Sequence, residues 1–205
     1  RDVLQHALPT MRPLDLPGRS TTIARNGMAA TSHVIATQTA IEVLKDGGNA
    51  MDAAIAACAV QGVVEPGSTG IGGDCFALYS EKGSDQITAY NGAGWAPQAT
   101  SLKAVLASGE EKQLRRQSPY VVTVPGAVDA WVALTERFGR LPFESLFEDA
   151  MRHARDGFPV SPVIARQWAQ AVEDLAEQPG FTAFMPQGRA PHVGEVWRFP
   201  EQAET

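Results

Sequence analysis

The chain has 205 residues, 44% of them hydrophobic, with 17 basic and 23 acidic side chains and a formal charge of −6. That supports one sizeable core. It offers no basic track for a phosphate backbone and no stretch near the roughly 20 apolar residues of a membrane helix, so neither nucleic acid nor membrane is expected as a partner.

Residues 1–22 read as an N-terminal arm, rich in Pro and Arg, without periodicity and without the apolar core of a signal peptide. A helix follows from about Val34 to Asp46, with Ala36, Ala40, Val43 and Leu44 on one face and Gly47-Gly48 as its stop. Asn49 suits an N-cap and Asp52 stands three residues on, the spacing of a capping box. The helix they start, "AMDAAIAACAVQGVV", is small-sided and apolar nearly all round, so it belongs in the core.

Next comes "EPGSTGIGGDCFALYS", dense in glycine, and then "QITAYN". The alternation in "CFALYS" and "QITAYN" predicts a β-hairpin. Residues 104–118, including Arg115-Arg116, read as an exposed charged loop, and "YVVTV" as a further strand closed by Pro125-Gly126. Three helical patterns complete the chain. Val128, Trp131, Leu134 and Phe138 share one face; Leu146, Phe147, Ala150 and Ala154 share another; Ser161-Pro162 opens the third, with Ile164, Trp168, Val172 and Leu175. Helices and strands in this order suggest a mixed α and β architecture without regular βαβ alternation.

The glycine stretch raises a chemical question, because such density marks positive φ or a close approach of backbone or ligand. A phosphate loop would need Lys and Ser/Thr after the last glycine, where Asp74 and Cys75 stand. A dinucleotide fingerprint would need a strand before and a helix after, the reverse of this order. Close packing and substrate contact therefore both stay open, and Asp74 reads as a buried acceptor for loop amides. The four histidines, His6, His33, His153 and His192, have no metal-ligand spacing, so no metal is expected. Cys58 and Cys75 form no disulfide framework and read as buried small hydrophobes, which leans toward a reducing cytoplasm over a periplasm. No catalytic trio of nucleophile, base and orienting group can be assembled.

Several long motifs in order do carry a resemblance. "GMAATSHVIATQTAIEVLKDGGNAMDAAIAACAVQGVVEPGSTGIGGDCFALY", then "VTVPGAVDAW" and "FGRLPFESLFEDAMRHARDGFPVS", resemble the start of the large subunit of the gamma-glutamyltranspeptidase family over about residues 23–178. The resemblance implies an α+β fold, the αββα sandwich of N-terminal-nucleophile hydrolases. Sandwich elements would lie at about 23–125, an appended helical part at about 126–178, and the family region would run over 23–205. It further implies self-cleavage into two subunits, a catalytic threonine on the small subunit whose own amine acts as base, and no cofactor. The expected partners are that small subunit and a small-molecule amide, with the glycine stretch passing through the sandwich near the active-site cleft.

Two departures from the family pattern shape the expectations. The chain runs to Glu204-Thr205 without a threonine-nucleophile segment, so no catalytic residue is assigned within it. Glutamyl-processing relatives also carry an arginine before "AP" that grips a carboxylate; here "YNGAGWAP" has Ala93 in that place. This "N-G-x-G-x-A-P" form is similar to a branch with oxamate amidohydrolase and acylase-like members. Asn91, Gly92, Ala93, Gly94 and Trp95 are the expected substrate-binding residues. Trp95 would either face an acyl or aromatic group or pack on the sheet. The competing reading is a relative that neither cleaves itself nor catalyses, and only binds a ligand or partner.

Overall fold

The computed structural model describes residues 21–205 apart from positions 111 and 116, so the arm expected over 1–22 lies almost wholly outside the described residues. Helix α1 (Val34–Lys45) is capped by His33, whose Nδ1 accepts a hydrogen bond from the Ile35 amide at 3.3 Å. Gly47 follows it with φ +98°, a conformation that suits glycine and ends the helix. Helix α2 (Ala50–Val64) begins with the anticipated capping box. The Asn49 side chain accepts from the amides of Met51 and Asp52, and the Asp52 carboxylate accepts from the Asn49 amide at 2.8 Å.

Eleven of the fifteen α2 residues are buried, which makes it the central element. Around it pack α1, α4 (Ala127–Phe138), the short 3-10 turn Phe143–Phe147 and α5 (Glu148–Asp156). Its alanines let these neighbours approach closely. The fully buried Asp52 carboxylate also accepts from the Arg140 amide at 3.1 and 3.2 Å, tying the start of α2 to the end of α4. Thr39 of α1 donates to Asp149 of α5 at 2.6 Å and fixes the outer pair.

A second cluster is aromatic. Ser161 caps α6 (Pro162–Leu175), as its pairing with Pro162 suggests. Trp168 of α6 stacks on Phe199 with ring centroids 5.8 Å apart, meets Trp197 at 5.0 Å, and donates its indole N–H to the Phe184 carbonyl at 2.8 Å. Two two-residue strands, β3 (Phe158–Pro159) and β4 (Val196–Trp197), pair antiparallel beside it, and the chain continues into α7 (Pro200–Glu204) against α5.

The hairpin forms as expected. Strand β1 (Cys75–Tyr79) pairs antiparallel with β2 (Thr88–Gly92) in the register Cys75↔Gly92 to Tyr79↔Thr88. One face, Cys75, Ala77 and Tyr79, is half-buried, and α4 packs on the hairpin; the other face carries Phe76 and Leu78 at 68% and 80% exposure. Mixed helix and sheet is thus the observed class.

Three local expectations are corrected. "YVVTV" forms no strand: Pro119–Val121 is a 3-10 turn, and the extended residues after it make one ladder-like bond, Val124 N–H to the Trp95 carbonyl at 2.9 Å. Its β-branched residues favour extension, but Pro119 and Pro125 remove donors at both ends. The segment 104–118 is not all exposed loop. Helix α3 (Leu102–Ala107) starts at the Ser101 cap, and Glu110 is buried, pinned by the exposed Arg115 at 2.8 Å; Arg116 lies outside the described residues. On α4 the buried face is Ala127, Ala130, Trp131 and Leu134, and Val128 is exposed.

Candidate substrate-binding wall

Three backbone segments converge where β2 ends: 73–74 from the glycine stretch, 91–95, and 123–127 leading into α4. Helix α4 has no side-chain cap. Its first amides, Gly126 and Ala127, donate instead to the Gly73 carbonyl at 3.1 and 3.0 Å, which satisfies donors a helix start leaves free. Thr123 donates to the Asp74 carboxylate at 3.1 Å, adding a second tie. Asp74 is therefore not the buried acceptor for loop amides read from the sequence: it is exposed and serves one hydroxyl.

The segment 91–95 is shaped by crowding. Asn91 folds its side chain back to accept from the Ala93 amide at 3.1 Å, an Asx turn that swings the chain off the strand. Gly94 has φ +60°, and a β-carbon on it would run into the Val124 carbonyl; one on Gly126 would strike the Gly92 carbonyl and the Gly94 nitrogen. Both positions need glycine because backbone meets backbone there.

By contrast, Gly67, Gly70 and Gly72 have no atom within 4 Å of where a β-carbon would sit, and none of them has positive φ. The glycine stretch itself lies largely exposed. Close backbone packing, one of the two roles left open for this stretch, is therefore met only at Gly73, through its bonds to Gly126 and Ala127, while the crowding that forbids a β-carbon at the junction falls on Gly92, Gly94 and Gly126. The hint in the sequence was Pro125-Gly126, read merely as the end of a strand.

Of the five expected site residues, Gly92 and Ala93 are half-buried, while Asn91, Gly94 and Trp95 are exposed. Trp95 is 86% exposed, so the alternative that it packs on the sheet does not hold among the described residues. The Val124 amide donates to its carbonyl, and Val122, Val124 and Phe76, the register partner of Asn91, are exposed too. No arginine lies anywhere from Gly83 to Leu114, and Ala93 offers a methyl group, so this wall brings no guanidinium to a carboxylate.

Behind the wall, Cys75 pairs with Gly92 and is half-buried, as is Cys58. Burial pushes both thiols above their ordinary range, so they stay protonated near neutral pH and act as packing groups. Among the described residues no group of His, Cys, Asp and Glu is arranged to hold a metal ion, and no helix is long and apolar enough to cross a membrane.

The family model described as gamma-glutamyltranspeptidase matches residues 36–205, and the chain belongs to that family. It is 35% identical to the glutathione hydrolase-like YwrD proenzyme of Bacillus subtilis, over 89% of this chain and 35% of that protein. It is also 35% identical to the oxamate amidohydrolase proenzyme of Klebsiella pneumoniae, over 91% of this chain and 36% of that protein. Among solved structures it superposes on the cephalosporin acylase of Bacillus halodurans with a TM-score of 0.85 and 42% identity, covering 96% of this chain and 37% of that one. The chain thus spans about a third of the length of these relatives.

Proposed function

We propose that residues 23–205 form the framework and one pocket wall of a self-processing amide-cleaving enzyme, the large-subunit part of an αββα sandwich. The nucleophile in this reading is a threonine at the new N-terminus of a companion small subunit. Its hydroxyl attacks the amide carbonyl, its amine takes the proton, the amine portion of the substrate leaves, and water or an acceptor amine then releases the acyl group. The described residues supply binding: Asn91 to Trp95, held rigid by the three-way backbone junction, face the substrate.

The carrying observation is that junction with Ala93 and an outward Trp95 upon it. A wall without a cation leaves a substrate carboxylate unpaired, which in a desolvated site costs on the order of 2–5 kcal/mol. An exposed indole next to the exposed Val124, whose amide donates to the Trp95 carbonyl, favours an acyl or aromatic group. One relative, a cephalosporin acylase, bears the name of a non-glutamyl amide and supports this choice of substrate class. The small subunit would cover the apolar hairpin face, since a two-stranded hairpin is marginal in water by itself.

The test is expression of the full-length protein. Two bands on a denaturing gel, with an intact mass that puts threonine at the new terminus, are expected. Cleavage of acyl amides should exceed cleavage of a γ-glutamyl anilide. A single uncut band without turnover would instead favour a non-catalytic binding relative, and fast γ-glutamyl turnover would overturn the substrate class.

A further inference from the structure

Glu65, the residue that ends α2, is 6% exposed, an unusual place for a carboxylate. One of its oxygens is well served: Oε2 accepts from the Ser32 hydroxyl at 2.7 Å and from the Gln61 side-chain amide at 3.2 Å. Gln61 also donates to Ser32 at 2.7 Å, so the three side chains close a small ring that joins the chain before α1 to the end of α2. The other oxygen differs. Among the described residues no donor meets Oε1, and no Lys or Arg pairs with Glu65. Oε1 is not among the polar atoms sealed inside without a partner; Glu65 borders an open cleft of about 520 Å³ shared with Ser68, Ser161 and Gln167.

The basic side chain coupled to it, His33, does not supply the missing charge. His33 uses Nδ1 as an acceptor for the Ile35 amide, so its hydrogen sits on Nε2, and Nε2 is sealed away from the cleft. Burial lowers its pKa against the opposing pull of Glu65, which keeps the ring neutral near pH 7. A largely buried carboxylate with one unserved oxygen is costly, and the group that best relieves it is a charged N–H donor.

The cleft does not end at Glu65. Ile164 and Gln167 are also walls of an adjoining hollow of about 240 Å³, lined by Trp168, Leu175, Phe181 and Phe184. An acceptor-rich end beside an aromatic end, within the size range of small-molecule sites, defines the shape of a ligand: one positive head and one apolar body. We infer that this cleft binds a small organic amine, with its ammonium on Glu65 Oε1 and its apolar body across Ile164 toward Trp168 and Phe184. The inference does not depend on which amide the protein cleaves.

The experiment is calorimetric titration of the full-length protein with 2-phenylethylamine and, in parallel, with 2-phenylethanol, which has the same body without the charge. Saturable amine binding is expected, about tenfold or more tighter than that of the alcohol, the weight of one charge-assisted hydrogen bond. Glu65→Gln leaves an acceptor for Ser32 and Gln61 but converts the open oxygen into a donor, so it should abolish that preference. Ser32→Ala breaks the inner ring without touching Oε1 and should retain it. Equal binding of amine and alcohol by the wild type overturns the proposal, and needs no variant. So does a wild type that binds neither compound.

Discussion

The two faces of the β-hairpin belong to different worlds. On one side Cys75, Ala77 and Tyr79 meet a core in which Val60 and Val64 of α2 and Ala36 of α1 are fully buried. On the other, Phe76 and Leu78 stand exposed, with Ile87, Val122 and Trp95 near the same standard of exposure. Strand alternation alone would put polar residues on a solvated face. Apolar residues on both faces are instead the pattern of a sheet buried on both sides. Among the described residues the inner face has a covering neighbour in the helices and the outer face has none.

The glycines divide in the same way, and substitution there gives the largest effect. Gly94→Ala combines a left-handed φ of +60° with a collision against the Val124 carbonyl, which cannot step aside without dragging the start of α4. A loss on the order of 3 kcal/mol is expected in urea unfolding. Because the segment 91–95 must shift, amide turnover by the full-length protein should fall by about a hundredfold if this segment lines the substrate as proposed. Gly70→Ala has open space and an ordinary φ, so a change within about 0.5 kcal/mol is expected. A large loss at Gly70 would break the contrast and place another backbone against the glycine stretch in the full-length protein.

Leu78→Ser probes the cover directly. If the outer face is packed in the full-length protein, removing this side chain forfeits about 1.5–3 kcal/mol of burial. If the face is as open as its 80% exposure here, the change stays within about 0.5 kcal/mol. Chemical unfolding of the full-length protein separates these outcomes.

The contrast also explains what was legible in the sequence. Local devices were: Gly47-Gly48 as a stop, Asn49 with Asp52 as a capping box, Ser161 with Pro162 as a helix start, and the two alternating runs as a hairpin. Each is decided by residues within a few positions of one another. What escaped depends on distant partners. "YVVTV" has strand propensity, yet a strand exists only where a neighbour offers a ladder, and Val124 finds a single carbonyl. The Gly73 carbonyl capping α4 joins residues more than fifty positions apart, and nothing near Gly73 announces it. Helix α3 was the exception, since Ser101 and Gly109 with φ +81° mark its ends locally, but the charges after it drew the reading toward loop. In the candidate site, Ala93 and Trp95 were legible by comparison with a motif, whereas the crowding that fixes them was not.

The smallest effect expected concerns pH, and it belongs to the helical side. His33 is 4% exposed at the start of α1, and burial holds its pKa below the ordinary 6.5, with Glu65 pulling the other way. The unfolded chain therefore takes up a proton first as pH falls. The contribution of His33 is intact above about pH 6.5 and declines as pH drops toward the folded value. His153, lowered first by burial and then by Arg152, adds a decline of the same sign. His33→Asn keeps a good N-cap while removing the titration. The difference in urea midpoint between about pH 7.5 and about pH 5.5 should shrink in this variant without vanishing, because His153 remains. An unchanged difference would mean that water reaches the His33 ring, and that the packed side of the molecule is more open at α1 than its burial implies.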